Sequence, residues 1–266
     1  MTTIERVNDH YKESLEYFSA DQIVLCALQG SQNYQLDLPT SDVDTKLIVT
    51  PSFRDIALAR KPVSTTHVRD NTEHIDFKDV RLYFETFRKQ NLNFLEILFT
   101  PYKIVNPDYA AQWDRLIQKR EEIAHMNPFR AVKSMKGIAL EKYHAMEHAY
   151  PSKVDVLAQY GYDGKQTHHL LRIEDYIERY ISGEEYEKCL IPSPHKYERL
   201  IAYKQQQIPL EIARIEAEKS LSHIINLADN FCNITNDKEN SETREFLEDV
   251  SYNIMKISVQ KELWAK

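Results

Sequence analysis

Cysteine is scarce in this chain, and what little there is excludes two common architectures. Three residues (Cys26, Cys189 and Cys232) lie far apart, odd in number and without metal-type spacing. The pattern suits neither a disulfide framework nor a thiolate zinc site, and reduced thiols in a cytoplasmic protein are expected. No apolar run approaches the length needed to span a bilayer, and "MTTIERVNDHYKES" lacks the apolar core of a signal peptide, so no membrane partner is expected. Long basic runs are missing too, and the formal net charge is −7. Strong non-specific binding to nucleic acid is therefore not expected, although a local basic groove is not excluded. Glycine occurs only five times in 266 residues, so Gly161 and Gly164, close together, require a reason.

What is present is ordinary globular material, 42% hydrophobic and 28% charged, long enough for one large domain or two modest ones. Ile4, Val7, Tyr11, Leu15 and Phe18 recur at helical spacing and predict an amphipathic helix. "QIVLCAL" at 22–28 and "VDTKLIV" at 43–49 predict buried strands, and "STTHVR" and "TEHIDF" predict a hairpin around Asp70 and Asn71. Asp79 is placed to cap a helix carrying Leu82, Phe84 and Phe87. Beyond it the pattern is helical. Asn106-Pro107 and Asn127-Pro128 each open a helix, a third starts near Asp163, a long one interrupted at Pro209 covers 195–230, and the last starts near Ser241. The fold class is α+β: a small mixed sheet with helices over residues 1–126, then a helical domain over 127–266.

The chemistry concentrates in "LQGSQNYQLDLPTSDVDTKLIV" at 28–49. Strand side chains alternate faces, so Asp42 and Asp44 project to one side with Val43 behind them. Two carboxylates so close repel one another unless something balances them. A hard divalent cation resolves that conflict, since it takes oxygen ligands and favours concentrated negative charge. A solvated polar turn is the other reading of "SDVD". Upstream, Gly30-Ser31 ends a strand, where glycine lets the backbone approach a ligand and the following amides and the Ser31 hydroxyl suit phosphate oxygens. Two-metal phosphoryl transfer needs a third carboxylate. In "TEHIDFKD", His74, Asp76 and Lys78 share one face, which makes Asp76 the natural candidate, with Glu73 and Asp79 weaker ones.

"GSQNYQLDLPTSDVDTKLIV" resembles the nucleotidyltransferase signature of the DNA polymerase β-like superfamily, Gly-Ser followed by Asp-x-Asp. Tyr34, Pro39-Thr40-Ser41 and Pro51 are similar to one subgroup, the predicted nucleotidyltransferases of bacteria and phages associated with RNA repair. "QNLNFLEILFTP" at 90–101 and "YGYDGKQTHHLLRI" at 160–173 fit the same subgroup, so separated blocks over residues 23–173 carry the resemblance. Gln35 departs from it, standing where the subgroup usually has glycine.

In the last block Lys165, His169 and Arg172 stand at i, i+4 and i+7, on one face of a helix, with Lys165 in its positive first turn. Such a face suits a triphosphate, and the resemblance points to the same three residues. A solvated face beside Glu174 and Asp175 is the alternative. His144 and His148 have i, i+4 spacing amid Glu141 and Glu147 and read as a mixed polar surface. Asn93 and Glu96 match the 90–101 block of the resemblance and read equally well as a cap and a surface acid.

The resemblance implies an enzyme that uses two Mg²⁺ ions, or Mn²⁺ in their place. It implies a small mixed sheet with a helical domain closing the nucleotide cleft, and attack of an acceptor hydroxyl on the α-phosphorus of an NTP. Asp42, Asp44 and Asp76 would hold the ion that activates the hydroxyl, and Asp42 and Asp44 the ion on the triphosphate. Gly30, Ser31, Lys165, His169 and Arg172 would bind the nucleotide. Three accounts compete: repair of RNA ends, nucleotidylation of a small molecule or protein, and a non-catalytic nucleotide-binding module.

Overall fold

In the computed structural model, which describes residues 2–264, five strands form one mixed sheet: β1 (Ile23–Gln29), β2 (Asp44–Val49), β3 (Ser64–Val68), β4 (His74–Asp79) and β5 (Lys103–Val105). Their order is β3-β4-β2-β1-β5. β1 runs antiparallel to β2 and to β5, β3 antiparallel to β4, and the central pair β2 and β4 is parallel. The expected hairpin is β3–β4. Sequence reading did not anticipate β5, whose three residues are too few to show an alternation.

Alternation along the strands makes the two sheet faces different. Cys26, Leu28, Leu47, Val49, Ile75 and Phe77 pack on one side around Val7 of α1 (Thr3–Ser14), with Tyr11 and Phe18 against the same cluster. Thr2 and Glu5 cap α1 reciprocally. Ile4 and Leu15, which the periodicity placed on the apolar stripe, are exposed. On the other side stand Asp44 and Lys46 of β2 and His74, Asp76 and Lys78 of β4.

After β2 comes α2 (Phe53–Ala57), and after β4 come α3 (Val80–Arg88), capped by Asp79 as expected, and α4 (Leu92–Leu95). Asn91, not Asn93, caps α4 by accepting the Asn93 amide. The helix expected from Asn106 is broken into a tight turn at Pro107–Tyr109, α5 (Ala110–Gln118) and α6 (Arg120–Ala124).

The helical part holds α7 (Pro128–Ala145), α8 (Val154–Tyr160), α9 (Gly164–Ile181), α10 (Tyr186–Leu190), α11 (Pro194–Lys204) and α12 (Leu210–Ile234). The segment read as one interrupted helix is thus two: α11 stops at Lys204, Gln206 turns the chain into the left-handed region at φ +57°, and Pro209 stands at the N-cap of α12. Gly164 is required by close approach, since a Cβ there would lie 2.2 Å from the Tyr203 carbonyl oxygen. Gly161 ends α8 at a φ of +78°.

Two units result, Met1–Met126 together with Glu239–Lys266, and Asn127–Lys238. Sequence reading ran the helical domain on to residue 266, but α13 (Ser241–Trp264) packs with α3 and α5 of the sheet unit. Ser258 Oγ donates to Thr50 Oγ1 at 2.8 Å, Arg115 pairs with Asp249 at 2.7 Å, and Lys261 pairs with Asp21 and Asp108. Among the described residues, no helix is long and apolar enough to cross a membrane. Cys26 sits in the sheet core, where burial pushes its thiol up to about 12, so it is unreactive at neutral pH.

Candidate active site

β1 ends in Gly30, whose φ of +122° lies where side chains are rarely tolerated. A tight helical turn follows (Ser31–Tyr34), and Gln35 leaves it in the left-handed region at φ +57°, ψ +32°. Where the resembling sequences carry glycine, this chain therefore keeps the backbone path that glycine favours. Doing so with a side chain costs about 1 kcal/mol.

The turn is fastened from several directions. Gly30 N–H donates to Glu96 Oε1 at 3.0 Å, and Glu96 is fully buried instead of being the expected surface acid. The Gly30 amide is thus committed within the protein, and Ser31 with the following amide is what the turn has to offer a phosphate. Gln32 Nε2 donates to the Asp42 carbonyl at 2.8 Å, tying the turn to the aspartate segment.

β2 begins at Asp44, so Asp42 lies in the lead-in to the strand, not within it. Between the two, Val43 is fully buried and its amide donates to Glu73 Oε1 at 3.0 Å. Glu73 is itself buried. It also accepts from Arg6, from Arg69 at 2.9 Å, from Asn71 at 2.7 Å and from His10 Nε2 at 3.0 Å. That leaves no role for it as a metal ligand; it braces the aspartates from behind. His10 Nδ1 lies 2.9 Å from Thr45 Oγ1. Burial, with Arg69 and Arg6 nearby, lowers the His10 pKa to about 4. Two arginines already match the Glu73 charge, so the imidazole stays neutral, with Nε2–H on the carboxylate and Nδ1 accepting the Thr45 hydroxyl.

Asp44 Oδ1 accepts the His74 amide at 2.8 Å and lies 3.2 Å from His74 Nδ1. Next to it, Lys46 is the register partner of Asp76 across the parallel β2–β4 pair. Lys46 Nζ lies 3.0 Å from Asp76 Oδ2, and Thr66 Oγ1 donates to Asp76 Oδ1 at 3.1 Å. The Lys46 ammonium also sits 3.9 Å from the centroid of the Phe94 ring, and that of Lys78 4.9 Å from the same centroid. Lys46 is only 4% exposed, and burial pulls its pKa down against the upward pull of Asp76. Asp79 is occupied as the cap of α3 and as the partner of Arg81.

Among the described residues, one trio of metal-type side chains closes to within 4.8 Å, and it is Glu174, Glu178 and His223 of the helical unit. Asp42, Asp44 and Asp76 do not close to that distance. Asp42 and Asp44 are half-buried oxygen donors that fit a hard cation. Asp76, expected as their third partner, carries one protein hydrogen bond on each oxygen, to Lys46 and to Thr66.

In the helical unit, Asp163 caps α9 by accepting the Lys165 amide at 3.0 Å. Lys165 and His169 are partly exposed, whereas Arg172 is 4% exposed, which is not what a solvated helix face would show. Asp175 turns away, accepting the Ser193 amide at 2.9 Å, and Glu174 pairs with Lys196 at 3.6 Å. Partial burial, with His168 beside it and the charges of Arg172, Lys165 and Lys142 nearby, pushes the His169 pKa well below its ordinary value. A neutral imidazole among cations is a setting for an anionic guest. Elsewhere in this unit, His148 falls beyond the end of α7, so His144 and His148 do not share a helix face.

Lys46 escaped attention in the sequence, and Glu73 was read there only as a weaker candidate ligand. Lys46 was readable, since the alternation that aligns Asp42 with Asp44 also aligns Lys46 with them. The bracing role of Glu73 depends on Arg6, His10 and Val43, which lie 30 or more positions away. Comparison with known protein families and with curated proteins gives no match.

Proposed function

We propose that the protein is a divalent-cation-dependent nucleotidyltransferase whose sheet unit has the nucleotidyltransferase fold of the DNA polymerase β-like superfamily. It transfers a nucleoside monophosphate from an NTP to an acceptor hydroxyl, and the acceptor is an RNA end. The observation that supports this most is one of register. Gln29, immediately before the Gly30-Ser31 turn, is the partner of Asp44 across β1–β2, and Lys46 is the partner of Asp76 across β2–β4. A phosphate-type turn, an aspartate pair and a further carboxylate thus stand on three adjacent strands.

In the reaction, the acceptor oxygen forms a bond to the α-phosphorus as the bond to the bridging oxygen breaks. Pyrophosphate leaves, and the hydroxyl proton passes to solvent. A hard divalent ion at Asp42 and Asp44 would neutralise the triphosphate and polarise the reacting phosphoryl group. The chain's own residues do the rest. The Ser31 hydroxyl and the neighbouring amide hold phosphate oxygens; in the helical unit, taken by itself, Lys165 and Arg172 form a cationic face that suits a polyphosphate. His169, neutral, donates or accepts one hydrogen bond there.

The test offers each α-labelled NTP, with Mg²⁺ or Mn²⁺, to RNA ends, protein hydroxyls and aminoglycoside-like acceptors, using Asp44→Asn as the control. Label transfer to RNA, lost in the control, is expected. Transfer to one of the other acceptors would reassign the acceptor class. Absence of both transfer and NTP binding would refute the reading.

A further inference from the structure

Three carboxylates served by two divalent ions would have no need of a buried lysine among them. We propose that Lys46 is the site's built-in second cation: its ammonium, in place of a second divalent ion, balances Asp76. The Asp42–Asp44 pair then takes a single divalent cation. The proposal rests on the nucleotidyltransferase reading and changes its metal count and the role of Asp76, which becomes the residue that positions Lys46.

The geometry supports it in three ways. First, both Asp76 oxygens are already engaged, with Oδ2 at 3.0 Å from Lys46 Nζ and Oδ1 accepting from Thr66 at 3.1 Å. Second, the ammonium is confined. Lys46 stands in the middle of β2, opposite Asp76 in register, and its side chain is 5% exposed with Nζ 3.9 Å from the centroid of the Phe94 ring. A divalent ion at Asp76 would have to evict the ammonium from between a carboxylate and an aromatic ring, into which it is drawn by both charge and quadrupole. Third, the charges balance with one ion. Lys46 offsets one of the three carboxylates, and Lys78, whose ammonium lies 4.9 Å from the same Phe94 centroid, adds a further positive charge to this face, so one divalent cation is enough. A second ion beside the buried ammonium would meet repulsion that water cannot screen. Consistent with this, the three carboxylates do not close to within 4.8 Å of one another.

Mn²⁺ bound per full-length chain, counted by electron paramagnetic resonance, provides the test. Wild type, Lys46→Arg and Asp76→Asn should each bind one ion, with affinities within about threefold of one another. Lys46→Met, which keeps the stem but removes the charge, should release Asp76 and bind two. Two ions in wild type, one in a folded Lys46→Met, or loss of the ion in Asp76→Asn would each overturn the proposal. If Lys46→Met fails to fold, the wild-type and Asp76→Asn counts decide. No ion in any variant would overturn both this proposal and the metal-dependent reading, whereas two in wild type would overturn this proposal alone.

Discussion

Replacing Glu73 by glutamine keeps the shape of the side chain while removing the charge that five donors converge upon. Arg6 and the Val43 amide bond one oxygen, and Arg69, Asn71 and His10 the other. An amide has one acceptor oxygen, so its NH₂ group must face donors on one of the two sides. Arg6 loses the carboxylate it is paired with, and Arg69 keeps only Glu13, at 2.7 Å. Removing one partner of a buried ion pair costs about 3–5 kcal/mol, and the individual hydrogen bonds are not to be added on top. Denaturant unfolding followed by tryptophan fluorescence measures this directly, because Trp113 and Trp264 both belong to the sheet unit and the helical unit has none. The same variant should weaken Mn²⁺ binding about 10- to 100-fold, since the carboxylate that holds Val43 sets the path of the chain between Asp42 and Asp44. A stability loss under about 1 kcal/mol would show that the network does not brace the sheet.

Four further outcomes are expected. Asp44→Asn should abolish transfer while changing stability by no more than about 0.5 kcal/mol, because Asn Oδ1 can still accept the His74 amide; wild-type turnover would refute the aspartate pair as the site. His10 should make the sheet unit acid-sensitive. Its folded pKa of about 4 lies below the unfolded value near 6.5, so its contribution is complete above pH 6.5 and is lost as pH falls from there toward 4, about 3 kcal/mol in all. A His10→Gln variant with the same acid profile as wild type would exclude this. Lys165→Ala and Arg172→Ala should each weaken NTP binding roughly ten- to a hundredfold and NMP binding much less, because the charges removed serve the β- and γ-phosphates; equal weakening for both ligands would point to a damaged fold. Gln35→Gly relieves a left-handed residue but frees the unfolded chain, so thermal melting should move by less than the shift that about 1 kcal/mol produces; a large drop would mean the Gln35 side chain itself holds the turn.

Local patterns were legible where the physics is local. The apolar runs 22–28 and 43–49 became β1 and β2, Asp79 became a cap, and Asp163 opened α9, because burial of one strand face and satisfaction of first-turn amides are decided within a few residues. What could not be read were the partners. Nothing in "TEHIDFKD" shows that β4 lies parallel to β2, which is what sets Asp76 against Lys46. Nothing in the last helix tells which unit its small buried face, Thr243, Leu247, Val250, Ile254 and Ser258, will join. Glu96, read as a surface acid, and Glu73, read only as a weaker ligand candidate, are both buried acceptors, which was not legible for a related reason. A glutamate is taken as solvated unless donors for it are known. Here Gly30, Arg6 and Val43 stand 30 to 67 positions from the carboxylates they serve, and Arg69, four positions from Glu73, gives no warning.

The return of α13 to the sheet unit has a consequence for synthesis. Residues 127–238 form an insertion, entered after Met126 and left before Glu239, and Asn240 N–H donates to the Met126 carbonyl at 2.9 Å, so the two ends of the interruption are stitched together. A ribosome delivers the whole helical unit before the helix that completes the sheet unit. The part emerging first is therefore finished last. Until α13 arrives, Thr50 lacks Ser258, Asp21 and Asp108 lack Lys261, and the Phe53 amide lacks Glu262. A nascent chain stalled before residue 239 holds the residues of the helical unit tethered to a sheet unit that still lacks α13.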